Sequence, residues 1–224
     1  MRIRRTLAAA SLAAIALTGA AVAPAQANAA AVLTQGSASG PAIAVGDNLV
    51  ANLVSGTAAT FTDGAGSTNG VSCASSSFAA TVTSNPAAPG SATEQLNTQS
   101  FDQCTSSVMG VMSVQSVTAT SLPYTNTVVS GGGSNNVSLN GTSAGPVGIT
   151  VVLNTLLGQI SCVYQSPNGI TGNTSNSGST IGFSNQPANL VSGPGLCFST
   201  GYFSATYGPV TDSSAAGNPV LYVN

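Results

Sequence analysis

The pentapeptide Gly141–Gly145 reads G-T-S-A-G and matches the G-x-S-x-G pattern of the nucleophile elbow in serine hydrolases. In that motif a histidine base activates the serine, which lies on a tight turn between a strand and a helix. The chain of 224 residues has no histidine, and its only basic residues are Arg2, Arg4 and Arg5. The sequence therefore predicts a turn between strands at Ser143 and no catalytic serine.

Paired carboxylates are the other group that could do chemistry here, because two of them can hydrolyse a glycosidic bond. The chain has five acidic residues, and no two of them are close in sequence: Asp47, Asp63, Glu94, Asp102 and Asp212. A sugar-cleaving site usually adds histidine, arginine or tryptophan, and residues 6–224 contain none of these. We keep a two-carboxylate glycoside hydrolase as a minor alternative. The main prediction is a protein with no catalytic residue, cofactor or metal site.

The four cysteines predict two disulfides, for which three pairings are possible. A metal site is disfavoured because the chain has neither a C-x-x-C spacing nor a histidine. A weak internal repeat, G-T-x-A followed by a β-branched residue, serine and cysteine, begins at Gly56 and again at Gly141. If the repeat is more than a chance similarity, it favours the pairs Cys73–Cys104 and Cys162–Cys197.

The N-terminus has the pattern of a secretory signal peptide. Three arginines precede an apolar run from Leu7 to Val22, which is followed by the small-x-small sequence Ala25-Gln26-Ala27. We predict cleavage after Ala27, or alternatively after Ala29, by either the general or the twin-arginine export route. A membrane anchor is the alternative, but the run is short for a span of about 20 residues. We predict a secreted protein, extracellular or associated with the cell envelope.

Cleavage after residue 27 would remove every basic side chain and leave five acidic ones, a formal side-chain charge of −5. Nucleic acids and anionic membranes are then improbable partners, because both are held largely by cationic side chains. The sequence leaves the partner unknown, with self-association and a component of the cell wall among the open alternatives.

Short runs of β-branched and apolar residues, separated by Gly, Pro and Asn turns, predict an all-β fold. The most apolar run, Pro146–Gln165, predicts two adjoining strands. The more polar run Ala92–Phe101 predicts an exposed strand. No window of a dozen residues keeps a helical period. We therefore expect an antiparallel β-sandwich or barrel.

The predicted organisation has three parts. Residues 1–27 form the signal peptide, and residues 28–45 form an N-terminal arm that is loose at Ala29–Ser39 apart from an edge strand at Ala31–Thr34. Residues 46–224 form the β region, which the repeat would divide into related units at 46–135 and 136–224. Whether one body or two small ones form is left open.

Several segments resemble a group of uncharacterised exported proteins of Streptomyces-type actinobacteria. They are Ala80–Pro86, Leu122–Tyr124, Cys162–Tyr164, Tyr202–Tyr207 and Leu221–Asn224. The resemblance implies a secreted protein and supplies no activity or site. In composition alone the chain is similar to the neocarzinostatin-type apoproteins, which are acidic, two-disulfide β-sandwiches that hold an apolar chromophore. Their disulfide loops are short, whereas those predicted here are long.

Two functional hypotheses follow. The first is a non-enzymatic extracellular or cell-envelope protein with a structural or interaction role, including self-association through strand edges that carry few charges. The second is a binding module for a small apolar ligand or a glycan. The candidate lining residues are then aromatic: Tyr124, Tyr164, Tyr202, Phe203 and Tyr207. Because neighbours on a strand face opposite ways, Tyr202 and Phe203 cannot both line one cleft.

Overall fold

A computed structural model describes residues 29–131 and 136–224, so the predicted signal peptide lies outside the described residues. The described chain is all β, and its strand pairs are antiparallel. Within those residues no helix is long and apolar enough to span a membrane. The strands are β1 (Leu33–Gln35), β2 (Asn48–Asn52), β3 (Ala59–Thr62), β4 (Gly70–Ser84), β5 (Ser91–Ser106), β6 (Val111–Thr120), β7 (Tyr124–Val129), β8 (Asn136–Asn140), β9 (Val147–Thr155), β10 (Gly158–Ser166), β11 (Ile170–Ser175), β12 (Thr180–Ser192), β13 (Thr200–Tyr207), β14 (Thr211–Asp212) and β15 (Leu221–Val223).

Five strands form a wall that runs the length of the molecule, in the order β5-β4-β3-β13-β12. The long strands β4, β5 and β12 all carry bulges or register shifts, for example between Ala79 and Ala80. Bulges bend and twist a strand, so a long strand can leave one neighbour and take another. The wall is therefore completed by different strands at its two ends.

At one end, β5 pairs with β7, β7 with β8, β8 with β11, and β11 with the first part of β12. These pairings close a barrel of eight strands, as the prediction of a sandwich or barrel allowed. Four of its strands come from residues 46–135 and four from residues 136–224, so the two halves build one body. We call this part, with β7, β8 and β11, the cavity end.

At the other end, the second part of β12 pairs with β10, which continues to β9 and β6. Strands β9 and β10 confirm the two adjoining strands predicted for Pro146–Gln165. Strand β6 runs beside β5 without a ladder of hydrogen bonds between them. We call this part, with β6, β9 and β10, the apolar end.

The apolar end is filled by side chains from both layers. Phe61 on β3 packs its ring edgewise on Tyr164 of β10, with the ring centroids 4.7 Å apart. The same ring covers Gly201, where an added Cβ would lie 2.0 Å from Phe61 Cζ. Glycine is required at this position because no other residue leaves room for the ring. Val151 and Leu153 of β9 are also buried here.

The described part of the N-terminal arm is not loose, which corrects the prediction of a loose segment at Ala29–Ser39. Its edge strand β1 pairs with the C-terminal β15, and Val32 and Leu33 are fully buried. The side chain of Asn85 holds the arm against the barrel. Its amide donates to the carbonyls of Leu33 and Ile43, and its Oδ1 accepts from the Leu33 N–H. Hydrogen bonds between segments that are distant in sequence cannot be predicted from local sequence patterns.

Both predicted disulfides are confirmed. Cys73 and Cys104 are cross-strand partners on β4 and β5, whereas Cys162 on β10 is bonded to Cys197 in the loop between β12 and β13. Within the part of the chain that the structure describes there is no free cysteine. The first crosslink joins β4 to β5 within the wall, and the second joins β10 to the loop after β12.

Candidate binding site inside the barrel

All eight barrel strands contribute side chains to an internal cavity that has two adjoining lobes. One lobe, of about 50 Å³, contains the side chains of Glu94 and Asn126, and we call it the Glu94 lobe. The other, of about 70 Å³, extends toward β6 and β9 past Tyr124, and we call it the Tyr124 lobe. The two lobes are adjacent, because they share five lining residues: Leu96, Gln99, Leu139, Ile170 and Phe203.

The Glu94 lobe contains two polar oxygens that have no partner among the described residues. Asn126 Nδ2 donates a hydrogen bond of 2.8 Å to Glu94 Oε2, which fixes the two side chains against each other. Glu94 Oε1 and Asn126 Oδ1 are left without a hydrogen bond. Glu94 is 2% exposed and Asn126 is 7% exposed. Buried polar atoms are nearly always paired, so these two oxygens require either a proton on Glu94 or a donor from outside the chain.

Strand alternation explains why both side chains point inward. On β5, Glu94 lies between the buried residues Ala92 and Leu96 at a spacing of two, and on β7 Asn126 lies likewise between Tyr124 and Val128. The prediction of an exposed strand at Ala92–Phe101 was therefore wrong for its first half. That prediction relied on the polar composition of the segment. The alternation of Ala92, Glu94 and Leu96 indicated instead that one face of the strand is buried.

Burial determines the electrostatics of this lobe. Loss of solvent raises the pKa of the Glu94 carboxyl from 4.5 to about 7, and the hydrogen bond from Asn126 opposes that shift only in part. Residues 6–224 contain no Lys, Arg or His, so no side chain of the described protein can neutralise the carboxylate. The ionised carboxylate therefore needs a donor or a cation from outside the chain.

Four aromatic residues line the same lobe as the carboxyl group. Phe78, Phe183, Phe203 and Tyr207 all line the Glu94 lobe, and Phe78 meets Tyr207 edge to face at a centroid distance of 5.3 Å. The hydroxyl of Tyr207 is already engaged, since Gln99 Nε2 donates to it at 3.0 Å and Ser76 Oγ lies 2.9 Å away. Burial also raises the pKa of Tyr207 to about 12, so this phenol is neutral across the physiological range.

The Tyr124 lobe is lined mainly by hydrocarbon, including Phe61, Leu96, Val147 and Ile149. Its main polar feature is satisfied internally, because Tyr124 Oη donates to the Thr120 carbonyl and accepts from the Gly148 N–H at 3.1 Å. This lobe therefore offers apolar surface without an unpaired acceptor from Tyr124.

The structure separates the five aromatic candidates. Tyr124 and Phe203 line the Tyr124 lobe, and Phe203 and Tyr207 line the Glu94 lobe. Tyr164 is buried at the apolar end, and Tyr202 lines neither lobe. Tyr202 and Phe203 face opposite ways, as the sequence predicted. The alternation in β5 and β7 could have revealed Glu94 and Asn126, which the sequence analysis did not select.

The remaining candidate chemistry is absent from the cavity. Ser143 is exposed on the tight turn between Thr142 and Gly145, which confirms the predicted turn. Glu94 is the one carboxyl group that lines the two lobes, and neither lobe includes a second acid. Among the described residues, no three His, Cys, Asp or Glu side chains are placed to hold a metal ion.

Comparisons of the chain with protein-family models, curated proteins and solved structures found no match.

Proposed function

We propose that this chain is an extracellular, non-enzymatic binding protein that takes a small, slender apolar molecule into the barrel. The observation that carries the proposal is the two-lobed cavity, which is lined mainly by hydrocarbon and retains two unpartnered polar oxygens. Ligand pockets are typically apolar with a few placed polar groups that set orientation. The two disulfides are consistent with an oxidising environment such as the cell exterior.

The cavity favours an apolar ligand over the other candidates of the sequence analysis. Each lobe is smaller than the cavity of about 150 Å³ that admits benzene, so the ligand would be thin and would extend through both lobes. A sugar ring carries a hydroxyl on nearly every carbon, and the Tyr124 lobe gives those groups few partners. A two-carboxylate hydrolase needs a second acid across the cleft from Glu94, and neither lobe supplies one.

The proposal is tested by titrating the purified exported protein with 1-butanol and longer n-alkanols by calorimetry and NMR. We expect saturable binding with shifts at Leu139 and Ile170, which line both lobes. Ala119→Leu, which fills the Tyr124 lobe, should weaken binding about tenfold or more, which is a loss of about 1.4 kcal/mol. Ala144→Leu adds the same volume on an exposed turn and is the matched control. Binding that neither saturates nor responds to Ala119→Leu would refute the proposal.

A second candidate function, an interaction role through self-association, is favoured by an apolar tip. The turn between β9 and β10 consists of Leu156 and Leu157, which are 80% and 101% exposed. Met109 and Met112 are also exposed beside it, because Val111 of β6 pairs with Thr155 of β9. Grouped exposed apolar side chains are typical of contact surfaces, and the tip carries no charge that would repel a second copy.

Analytical ultracentrifugation of the exported protein tests this role. We expect concentration-dependent dimers that are lost in the double variant Leu156→Ser and Leu157→Ser. Val45→Ser, which removes another exposed apolar side chain outside the tip, is the control and should leave the dimer intact. A wild-type protein that stays monomeric at high concentration would exclude self-association.

A further inference from the structure

We propose that the ligand of the barrel is an aliphatic primary amine, whose ammonium group lies between Glu94 and Asn126 and whose hydrocarbon chain lies in the Tyr124 lobe. This inference rests on the proposed function and names the chemical class of its ligand.

The first argument is the match of donors to acceptors. Glu94 Oε1 and Asn126 Oδ1 are two acceptors on neighbouring side chains, and neither has a partner among the described residues. The hydrogen bond of 2.8 Å between Asn126 Nδ2 and Glu94 Oε2 holds them in place before a ligand arrives. An ammonium group carries three N–H donors and no acceptor, so it can serve both oxygens at once. A hydroxyl has a single hydrogen and can serve only one.

The second argument is charge. A buried carboxylate is normally paired with a cation, and residues 6–224 of this chain provide no cationic side chain. The carboxylate must then be protonated, or its counter-ion must come from outside. When protonated, Glu94 has one O–H, which can satisfy one acceptor of the pair without a ligand. The ionised carboxylate has no hydrogen to donate, so Glu94 Oε1 and Asn126 Oδ1 then need a donor from outside the pair. This is the form that would bind an ammonium group.

The third argument is the aromatic surface of the lobe. Phe78, Phe183, Phe203 and Tyr207 line the lobe that contains the carboxyl group. Ring faces attract cations, and aromatic side chains around an acid are a recurring means of binding alkylated ammonium groups. This arrangement favours a cationic donor over a neutral amide. The adjacent Tyr124 lobe shares Leu96 and Leu139 with it and supplies apolar surface for a carbon chain.

The pH dependence follows from the groups that face the site. Glu94 and Tyr207 are the titratable side chains that line the Glu94 lobe, and Tyr207 is neutral until pH about 12. Only Glu94 therefore changes charge in the range where an alkylamine stays protonated. Affinity for an alkylammonium should rise about tenfold per pH unit below pH 7 and level off above it, since binding requires the carboxylate.

The test is calorimetric titration of the exported protein with n-butylamine and, in parallel, with 1-butanol, at pH 5, 6, 7 and 8. We expect the amine to bind at least tenfold more tightly than the alcohol at pH 8 and to lose that preference at pH 5. Glu94→Gln should abolish both the preference and its pH dependence while 1-butanol still binds. Asp102→Asn removes the same charge from an exposed position on the same strand and should change neither.

The outcomes distinguish this inference from the proposed function. Equal affinity for the amine and the alcohol would overturn the assignment of an amine and leave a barrel that binds neutral apolar ligands. Full retention of amine binding in Glu94→Gln would do the same. If neither compound binds the wild-type protein, both proposals fail together, and the polar pair is an internally satisfied acid–amide contact.

Discussion

The cavity end and the apolar end share the wall β5-β4-β3-β13-β12, yet their interiors are different. The cavity end is closed by a continuous ladder of backbone hydrogen bonds through β7, β8 and β11. The apolar end lacks a ladder between β5 and β6 and is held by packed side chains, such as Phe61 on Tyr164, and by the Cys162–Cys197 disulfide. A hydrogen-bonded ring maintains its shape without a solid filling, so the cavity end can keep the Glu94 lobe and its buried acid, and the Tyr124 lobe extends from there to β6 and β9. The apolar end depends on its filling.

The largest difference in stability is expected from a matched pair of leucine truncations, one in the packed apolar layer and one beside the cavity. Leu153 on β9 is 4% exposed in the packed apolar layer, and Leu96 on β5 is 7% exposed beside the cavity. Leu153→Ala should cost about 3–5 kcal/mol, because it opens a void among side chains that cannot relax fully. Leu96→Ala should cost about 1–2 kcal/mol less, since Leu96 borders both lobes, of about 50 and 70 Å³, whereas Leu153 borders a space of about 20 Å³. Urea unfolding measures both, and equal losses would contradict the difference in packing.

Removing the disulfides tests how the wall and the layer that covers it at the apolar end are held. Cys73 and Cys104 are 31 residues apart, and Cys162 and Cys197 are 35 residues apart, so the chain-entropy account gives each bond about 3–4 kcal/mol. We expect similar global losses from the two double alanine variants. Hydrogen exchange should separate them, because loss of Cys162–Cys197 should speed exchange in β10 and β9 before it affects β7 and β8. Uniform acceleration across both ends would argue that the chain opens as one unit.

The buried acid gives the cavity end a pH dependence that the apolar end lacks. Folding raises the Glu94 pKa from 4.5 to about 7, so the folded chain binds more protons than the unfolded chain between those values. The free energy of unfolding should therefore fall by about 3 kcal/mol as the pH rises from about 4.5 to above 7. Glu94→Gln should remove this loss, whereas Asp102→Asn on the same strand should retain it. Thermal unfolding from pH 4 to pH 8 provides the measurement, and an unchanged slope in Glu94→Gln would contradict the assignment.

Added volume should be tolerated in the Tyr124 lobe and not in the packed interior beside Phe61. Ala59 on β3 is 3% exposed and lies on the same face as Phe61, so Ala59→Leu should cost about 1–3 kcal/mol through overpacking. Ala119→Leu enters the Tyr124 lobe and should cost less than about 1 kcal/mol. The denaturant midpoints of the two variants measure the two losses of stability. A larger loss for Ala119→Leu would mean that the lobe cannot accept even a few carbon atoms.

The smallest effect on stability is expected at the apolar tip. Leu156 and Leu157 are exposed, and the turn itself is held by Thr155, whose Oγ1 donates to the Gly158 carbonyl at 2.7 Å. The double change Leu156→Ser and Leu157→Ser should therefore alter the free energy of unfolding by no more than about 0.5 kcal/mol. A larger loss in chemical denaturation would show that the tip contributes to the fold and not only to association.

Local rules were sufficient for the all-β class, the number of disulfides, the turn at Ser143 and the strands on either side of Leu156. These features depend on alternation, turn residues and the number of cysteines, whereas the choice among three disulfide pairings depended on a weak repeat. The sequence also determined that any buried acid would lack a cationic partner within residues 6–224.

Only the tertiary structure decided that Glu94 and Asn126 meet. They lie 32 residues apart on β5 and β7, and they become neighbours because the barrel closes in a register that pairs them directly. It also decided that Val32 and Leu33 are core residues, since their partners are at the other end of the chain. Register and closure depend on contacts between distant segments, and a polar strand such as Ser91–Leu96 carries too little local signal to show which of its faces will be enclosed.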